Sequence, residues 1–268
     1  MLELRNLHKT FHLDDNPEND KYVLRGVDLT LKEGDFVSVI GSNGAGKTTL
    51  LNLIAGTHLP DQGEILLNGK DISHLKVDRR AKYVSRVFQD PMVGTIADIS
   101  LFENLSIASR RGQKQSPFRW ALTRDSKERF EALLAPLGLG LEERLYAPMG
   151  TFSGGQRQSV TLLMATLKRP EVLLLDEHTA ALDPSTAKKV MELTEKIVQE
   201  TKVPTLMITH NMKDAIVHGN RLIMMNEGRI IYDVRGEEKQ NLKVSDLLAK
   251  FELASGSEFA NDSMLLGS

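Results

Sequence analysis

Residues 41–49 have the sequence GSNGAGKTT, which matches the pattern G-x-x-x-x-G-K-[ST] without a gap. The apolar run at 36–40 before it predicts a buried strand, and residues 50–54 after it predict the start of a helix. Glycines let the backbone turn tightly and present N–H groups, and the N-terminus of the next helix adds partial positive charge. This order of strand, loop and helix predicts a phosphate-binding site rather than a chance glycine-rich turn.

Two side chains of this loop have separate expected tasks. Lys47 is expected to reach the β- and γ-phosphates of a nucleotide, and the Thr48 hydroxyl to hold Mg²⁺. The candidate nucleotide-binding residues of this segment are Gly41, Ser42, Asn43, Gly44, Ala45, Gly46, Lys47, Thr48 and Thr49.

The composition excludes several classes of protein. The 268 residues include 34 basic and 36 acidic side chains, so the net charge of −2 gives no overall field that attracts nucleic acid. No cysteine is present, which excludes disulfides and thiolate metal sites. We find no signal-peptide pattern, and no apolar run approaches the roughly 18 residues of a membrane span. We therefore expect a soluble chain that acts at a membrane only through a partner.

Hydrophobic patterns predict an α/β core. Residues 1–8, 23–31, 172–175 and 205–209 have strand-like patterns, and residues 184–199 have helical spacing. Hairpins are indicated at 63–69 and 222–233, and a polar loop at 12–21.

The middle of the chain differs in character from this core. Residues 91–168 lack strand-like runs, contain a polar connector at 110–115, and have helical patterns at 125–137 and 154–167. We predict a single domain over residues 1–268. Its parts are a core at 1–90 and about 169–235, a helical subdomain inserted at about 91–168, and a C-terminal helix with a frayed tail at 236–268.

Candidate chemical groups follow three predicted strands. Asp176 and Glu177 follow residues 172–175, His210 follows Thr209, and the glycine-rich loop follows residue 40. Ligands of open α/β sheets bind beyond the carboxyl ends of strands, so one pocket can collect all three groups. Asp176 then suits the water shell of Mg²⁺, and Glu177 suits polarisation of an attacking water. The alternative is a strand that simply ends in solvated charges.

A second glycine-rich segment admits two interpretations. Ser153 and Gln156 have the S-x-x-Q spacing of a capping box at a helix start. Gly154 and Gly155 are a poor choice for a first helical turn, since each glycine costs up to about 1 kcal/mol relative to alanine in a helix interior. A phosphate that approaches the helix N-terminus would explain both glycines, and we favour this interpretation.

Over nearly its whole length the chain resembles the ATP-binding subunit of an ABC transporter. The motifs that carry the resemblance are the Walker A loop at 41–48, the Walker B strand at 172–176, the signature FSGGQ at 152–156, the Q-loop Gln89, the D-loop at 181–183 and the switch histidine His210. The resemblance implies an α/β fold: a P-loop NTPase core of ABC ATPase type, with an N-terminal antiparallel β part and an inserted helical subdomain.

The resemblance also implies an ATPase that uses ATP and Mg²⁺ and works as a nucleotide-dependent homodimer. In the family, two domains stack head to tail, so that the signature of one chain closes the phosphate site of the other. Glu177 would be the general base, Gln89 would sense Mg²⁺, and His210 would hold the γ-phosphate and orient water. The implied metal ligands are Thr48, Gln89 and, through water, Asp176; the implied signature and D-loop residues are Ser153, Gly154, Gly155, Gln156 and Asp183.

Two residues depart from the family pattern. Phe152 replaces the usual leucine of the signature, and His178 stands where many members have proline. We expect His178 to be a solvated or hydrogen-bonded loop histidine rather than a second base.

Phe11 matches the aromatic residue that stacks on adenine, and Tyr22 is the alternative.

The implied partners are a transmembrane permease and an extracytoplasmic substrate-binding protein, with the chain peripheral on the cytoplasmic face of the cell membrane. Finer motifs resemble bacterial importer ATPases described as tryptophan/tyrosine uptake systems. The alternative is an ABC-type ATPase in a non-transport process such as cell-division signalling. We expect the permease to dock on Gln89 and residues 90–105, with Phe102 and Leu105 either offering an apolar contact or facing the subdomain core.

Overall fold

The computed structural model describes residues 1–12, 19–112 and 124–255. The predicted polar loop and connector lie partly outside these residues, and so does nearly all of the predicted tail. The strands are β1 (Leu2–Phe11), β2 (Lys21–Leu31), β3 (Phe36–Gly41), β4 (Gln62–Leu67), β5 (Lys70–Asp71), β6 (Val84–Val87), β7 (Val172–Asp176), β8 (Thr205–Ile208), β9 (Arg221–Asn226) and β10 (Arg229–Arg235). The helices are α1 (Lys47–Ala55), α2 (Val77–Arg80), α3 (Leu101–Ser109), α4 (Arg124–Leu134), α5 (Gly154–Thr166), α6 (Pro184–Thr201), α7 (Met212–Val217), α8 (Gly236–Gln240) and α9 (Val244–Ser255).

The larger sheet has six strands in the order β10-β9-β3-β8-β7-β6. Neighbours from β9 to β6 are parallel, and β10 pairs antiparallel with β9 at its edge. Every residue of β3 is buried, as expected for a strand covered on both faces. Because β3, β8, β7 and β6 are parallel, their carboxyl ends share one edge of the sheet.

The smaller sheet is antiparallel, in the order β2-β1-β4-β5. This is the predicted N-terminal β part, although β1 runs to Phe11 rather than ending at residue 8. Leu50 and Ile54 of α1 are fully buried in a core that includes residues of both sheets, such as Leu2 and Ile223. Helix α1, which begins within the glycine-rich loop, is therefore anchored by the same core.

Helices α3, α4 and α5 enclose a second core made of their apolar faces. Phe102 is 2% exposed and Leu105 is 0% exposed in that core. The expectation that these two residues offer a docking contact was therefore wrong, and the alternative, that they face the subdomain core, is correct. None of the described helices is long and apolar enough to cross a membrane.

Candidate nucleotide-binding site

The glycine-rich loop leads from β3 into α1 with two glycines in the left-handed region. Gly46 has φ +98°, and a Cβ there would lie 2.8 Å from the Val23 carbonyl oxygen, so no other residue fits without strain. Gly44 has φ +82° and faces open space. The N-terminus of α1 has no side-chain cap and no acidic residue in its first turn. Its N–H groups are therefore available to a phosphate.

The Lys47 side chain is buried and hydrogen-bonded to this loop. It is 6% exposed, and its Nζ donates to the Gly41 carbonyl at 2.7 Å and to the Ser42 carbonyl at 3.0 Å. Burial lowers the pKa of Lys47, while the charges of Glu177 and Asp176 act in the opposite direction. Thr48, the next residue, is exposed. An ammonium group and an accessible hydroxyl thus flank the start of α1.

The ends of β7 and β8 bring Glu177 and His210 into contact. Glu177 Oε1 lies 2.5 Å from His210 Nε2, with 13% of the Glu177 side chain exposed. Glu177 has φ +48°, an uncommon conformation for a residue with a side chain, and its N–H donates to the Ile208 carbonyl at 3.1 Å. Such strain persists where the surrounding structure over-determines it and is concentrated at functional sites.

Asp176 has a partner that the sequence analysis did not anticipate. The Arg86 guanidinium on β6 contacts Asp176 Oδ2 at 2.5 Å and Asn52 Oδ1 at 2.6 Å. We predicted no strand around Arg86, and the residues next to it carry no local signal of this pairing. It becomes recognisable only when β6 is placed beside β7.

Gln89 is exposed two residues beyond the end of β6. The residue before it is hydrogen-bonded to α5: Gln158 Nε2 donates to the Phe88 carbonyl at 3.1 Å. Farther along, a Cβ on Gly94 would lie 2.5 Å from Thr161 Cγ2, so the chain after Gln89 also packs closely on α5. The Gln89 segment and the signature helix are thus physically connected in one chain.

The signature residues begin α5 with the predicted capping box. Ser153 Oγ accepts from the Gln156 N–H at 3.3 Å, and Gln156 Oε1 accepts from the Ser153 N–H at 3.0 Å. A Cβ on Gly155 would lie 1.9 Å from Thr186 Cγ2 of α6, whereas Gly154 has only Leu182 at 3.6 Å. Close helix packing therefore accounts for Gly155 within one chain. Ser153 and Gly154 are exposed.

Asp183 caps α6, accepting from the Thr186 N–H at 3.1 Å and from Ser185 Oγ at 2.8 Å. These hydrogen bonds, those with Thr186 first, lower the pKa of Asp183 to about 2. With this pKa, the exposed D-loop carboxylate is charged over the whole physiological range.

His178 and Phe152, which depart from the family pattern, are both buried. His178 is 1% exposed, its Nε2 lies 3.1 Å from Thr194 Oγ1, and burial lowers its pKa to about 4. It is hydrogen-bonded, as expected, but not solvated. Phe152 is 3% exposed, with the Arg144 guanidinium 4.4 Å from its ring centroid.

The two aromatic candidates for stacking differ in their surroundings. Phe11 is half-buried at the end of β1, with the His58 ring edge-on at a centroid distance of 5.2 Å and Lys9 Nζ at 5.5 Å. Tyr22 is 60% exposed on β2, next to Val23, whose carbonyl approaches Gly46. Phe11 stays the predicted adenine-stacking residue.

The predicted metal ligands are of a kind that suits Mg²⁺. They are hard oxygen donors: the Thr48 hydroxyl, the Asp176 carboxylate and the Gln89 amide oxygen. In the described ranges no three His, Cys, Asp or Glu side chains form a cluster for a metal ion.

Comparison with known proteins identifies relatives of this chain. Residues 24–180 match the family model described as ABC transporter. A tyrosine transport ATP-binding protein of Clostridioides difficile (strain R20291) is 44% identical, over 95% of this chain and 100% of that protein. A spermidine/putrescine import ATP-binding protein of Spiroplasma citri is 32% identical, over 99% of this chain and 71% of that protein.

A solved structure matches the fold as well. It is the ATP-binding cassette MJ0796 in a dimeric post-hydrolysis state bound to ADP and Pi, with a TM-score of 0.72 and 28% identity. The match covers 88% of this chain and 98% of that one.

Proposed function

Because the chain belongs to the ABC transporter family of ATP-binding proteins, we propose that it drives import of an aromatic amino acid such as tyrosine through a separate permease. The chain is an ATPase and an ATP-binding subunit of importer type. The observation that carries the substrate proposal is the 44% identity to a tyrosine transport ATP-binding protein over 95% of this chain.

The proposed chemistry is attack of water on the γ-phosphate of ATP. The N–H groups at the start of α1 and the Lys47 ammonium bind the phosphates. Glu177 accepts the proton of the attacking water, and His210, 2.5 Å from it, holds the γ-phosphate and orients that water. Thr48, Gln89 and, through water, Asp176 would hold Mg²⁺, which would neutralise the charge that develops on the phosphate.

The signature residues belong, in this proposal, to the site of a second copy. Proteins of this family dimerise, as the ADP-bound cassette does. Ser153 and Gly154 are exposed at an α5 N-terminus whose neighbours are Leu182 and Thr186 of the same chain rather than the phosphate loop. Exposure and partial positive charge at this terminus suit a phosphate brought by the other protomer.

We propose an exposed apolar surface as the docking site of the permease, in place of Phe102 and Leu105. The surface consists of Met92, Val93, Ile96 and Tyr146, of which Val93 is 61% and Tyr146 62% exposed. Tyr146 stacks on Phe102 at a centroid distance of 5.7 Å, so this part of the surface rests on the subdomain core. An apolar side of a short partner helix would cover it.

Val93→Glu tests this surface, and Phe102→Glu is its contrast. Val93→Glu should leave the melting temperature and basal ATPase unchanged and lose the permease on co-purification. Phe102→Glu should lower the melting temperature, because it puts a charge into a packed core. Retention of the permease by a folded Val93→Glu protein would place the docking surface elsewhere.

We propose further that an extracytoplasmic binding protein delivers the solute and that this chain lies on the cytoplasmic face of the membrane.

To test the proposed substrate, the tagged chain is purified with its membrane partner and both are reconstituted in liposomes. ATP hydrolysis and uptake are then measured with tyrosine, tryptophan, spermidine and thiamine. Stimulation by an aromatic amino acid is expected; stimulation by spermidine or thiamine alone contradicts the substrate, and hydrolysis without uptake of any solute favours a non-transport role.

A further inference from the structure

The Arg86 guanidinium connects three elements at the edge of the candidate site. On β6, its Nη2 contacts Asp176 Oδ2 of β7 at 2.5 Å, and its Nη1 contacts Asn52 Oδ1 of α1 at 2.6 Å. The guanidinium carbon lies 4.8 Å from the centroid of the Phe88 ring. The side chains of Arg86 and Asp176 are 13% and 14% exposed, so solvent screens this pair much less than a surface ion pair.

The other charged groups of the site are engaged elsewhere. Lys47 directs its Nζ to the carbonyls of Gly41 and Ser42, and Glu177 contacts His210. Among the described residues, Arg86 is the cationic side chain that forms an ion pair with Asp176. It bonds to Oδ2, and no donor in those ranges hydrogen-bonds to Oδ1.

We propose that Arg86 lowers the affinity of Asp176 for Mg²⁺ by neutralising part of the carboxylate charge: its guanidinium binds Oδ2 and leaves Oδ1 for the metal hydration shell. This inference rests on the proposed role of Asp176 toward Mg²⁺. Arg86 also balances the charge of Asp176 when no metal is bound. It is a fixed cation beside the metal position, so it weakens Mg²⁺ binding by electrostatic repulsion.

Two effects of Arg86→Met follow from this arrangement. The nucleotide-free protein should melt lower, by roughly 2–10 °C, because a partly buried carboxylate loses its partner. In contrast, the Mg²⁺ concentration that gives half-maximal ATP binding should fall, on the order of 10-fold, because a nearby positive charge is gone. A merely structural arginine would produce the first effect without the second.

The experiment uses the full chain carrying Glu177→Gln, so that nucleotide is not consumed. Binding of a fluorescent ATP analogue is measured while Mg²⁺ is titrated, and again with EDTA in place of Mg²⁺. Arg86→Gln, which keeps a donor but loses the charge, repeats the test if Arg86→Met does not fold. Arg86→Lys, which keeps the charge, should have a Mg²⁺ midpoint near that of the parent, and Arg79→Met controls for loss of an exposed arginine of α2.

We expect the uncharged variants to reach half-maximal nucleotide binding at a lower Mg²⁺ concentration than the parent. Their nucleotide binding in EDTA should be unchanged. An unchanged Mg²⁺ midpoint overturns the proposal. Weaker nucleotide binding in EDTA also overturns it, because Arg86 would then act on the phosphates. Failure of the parent protein to bind nucleotide with Mg²⁺ would instead contradict the proposed site as a whole, so the two failures are distinguishable.

Discussion

Gly155→Ala should destabilise the chain before any second copy is involved. The added Cβ would lie 1.9 Å from Thr186 Cγ2, whereas ordinary contacts begin at 3.4 Å. Either α5 and α6 separate or Thr186 leaves its rotamer. Overpacking of this kind costs about 1–3 kcal/mol, and the better helix propensity of alanine returns at most about 1 kcal/mol. Because a 1.9 Å contact is severe, the upper end of this cost applies, and we expect a net loss of about 2 kcal/mol, or about 4–8 °C in melting temperature.

Urea unfolding of the nucleotide-free chain measures this loss. Gly154→Ala is the matched control, because a Cβ there meets only Leu182 Cδ2 at 3.6 Å and should not lower stability. Thr186→Ser removes the clashing methyl and keeps the hydroxyl. Combined with Gly155→Ala it should restore stability, with a coupling energy of about 1–2 kcal/mol in the double-mutant cycle.

The reasoning fails if Gly155→Ala is as stable as Gly154→Ala and Thr186→Ser restores nothing. If both alanine variants then lost ATP-dependent dimerisation equally, Gly155 would serve the phosphate of the partner alone.

Three further outcomes are expected. Glu177→Gln should keep ATP binding and lose roughly 10²–10⁴-fold in ATP hydrolysis, since it removes the proposed base; near-wild-type turnover would exclude that role. The same variant should dimerise with ATP, and Ser153→Arg added to it should prevent this by bulk and by charge near Lys47 of the other copy; light scattering that gives one mass with and without ATP would contradict the shared site. Wild type should lose stability as the pH falls from about 6.5 to 4, because buried neutral His178 has a folded pKa of about 4 and the unfolded histidine binds its proton earlier. His178→Gln should have a shallower dependence in urea unfolding, and equal slopes would show that His178 does not titrate in this window.

The elements that the sequence predicted share one property: their signals are local. The run before the glycine-rich loop became β3, which is buried throughout, and the run before Asp176 became β7. The S-x-x-Q spacing at Ser153 produced a capping box between residues three apart. Such signals arise within a few residues, so no knowledge of the rest of the fold is needed to interpret them.

Gly155 and Phe102 had ambiguous local signals. A glycine in a first helical turn indicates close approach of something, but the sequence does not say whether that is a phosphate or α6. An apolar residue on a short helix indicates burial, but not whether its own subdomain or a partner covers it. The structure explains both within one chain: Gly155 packs against Thr186, and Phe102 packs against Phe130, at a distance of 5.3 Å between ring centroids.

The sequence by itself determined the glycine-rich loop and the strand ends that precede Glu177 and His210, because backbone geometry and strand termination are encoded by neighbouring residues. Only the tertiary structure decided that Arg86 meets Asp176, 90 residues away, and that His178 meets Thr194, 16 residues away. Those pairs exist because β6 lies beside β7 and because α6 packs over the end of β7. Strand order and helix packing are long-range properties, and one sequence without its fold carries no direct record of them.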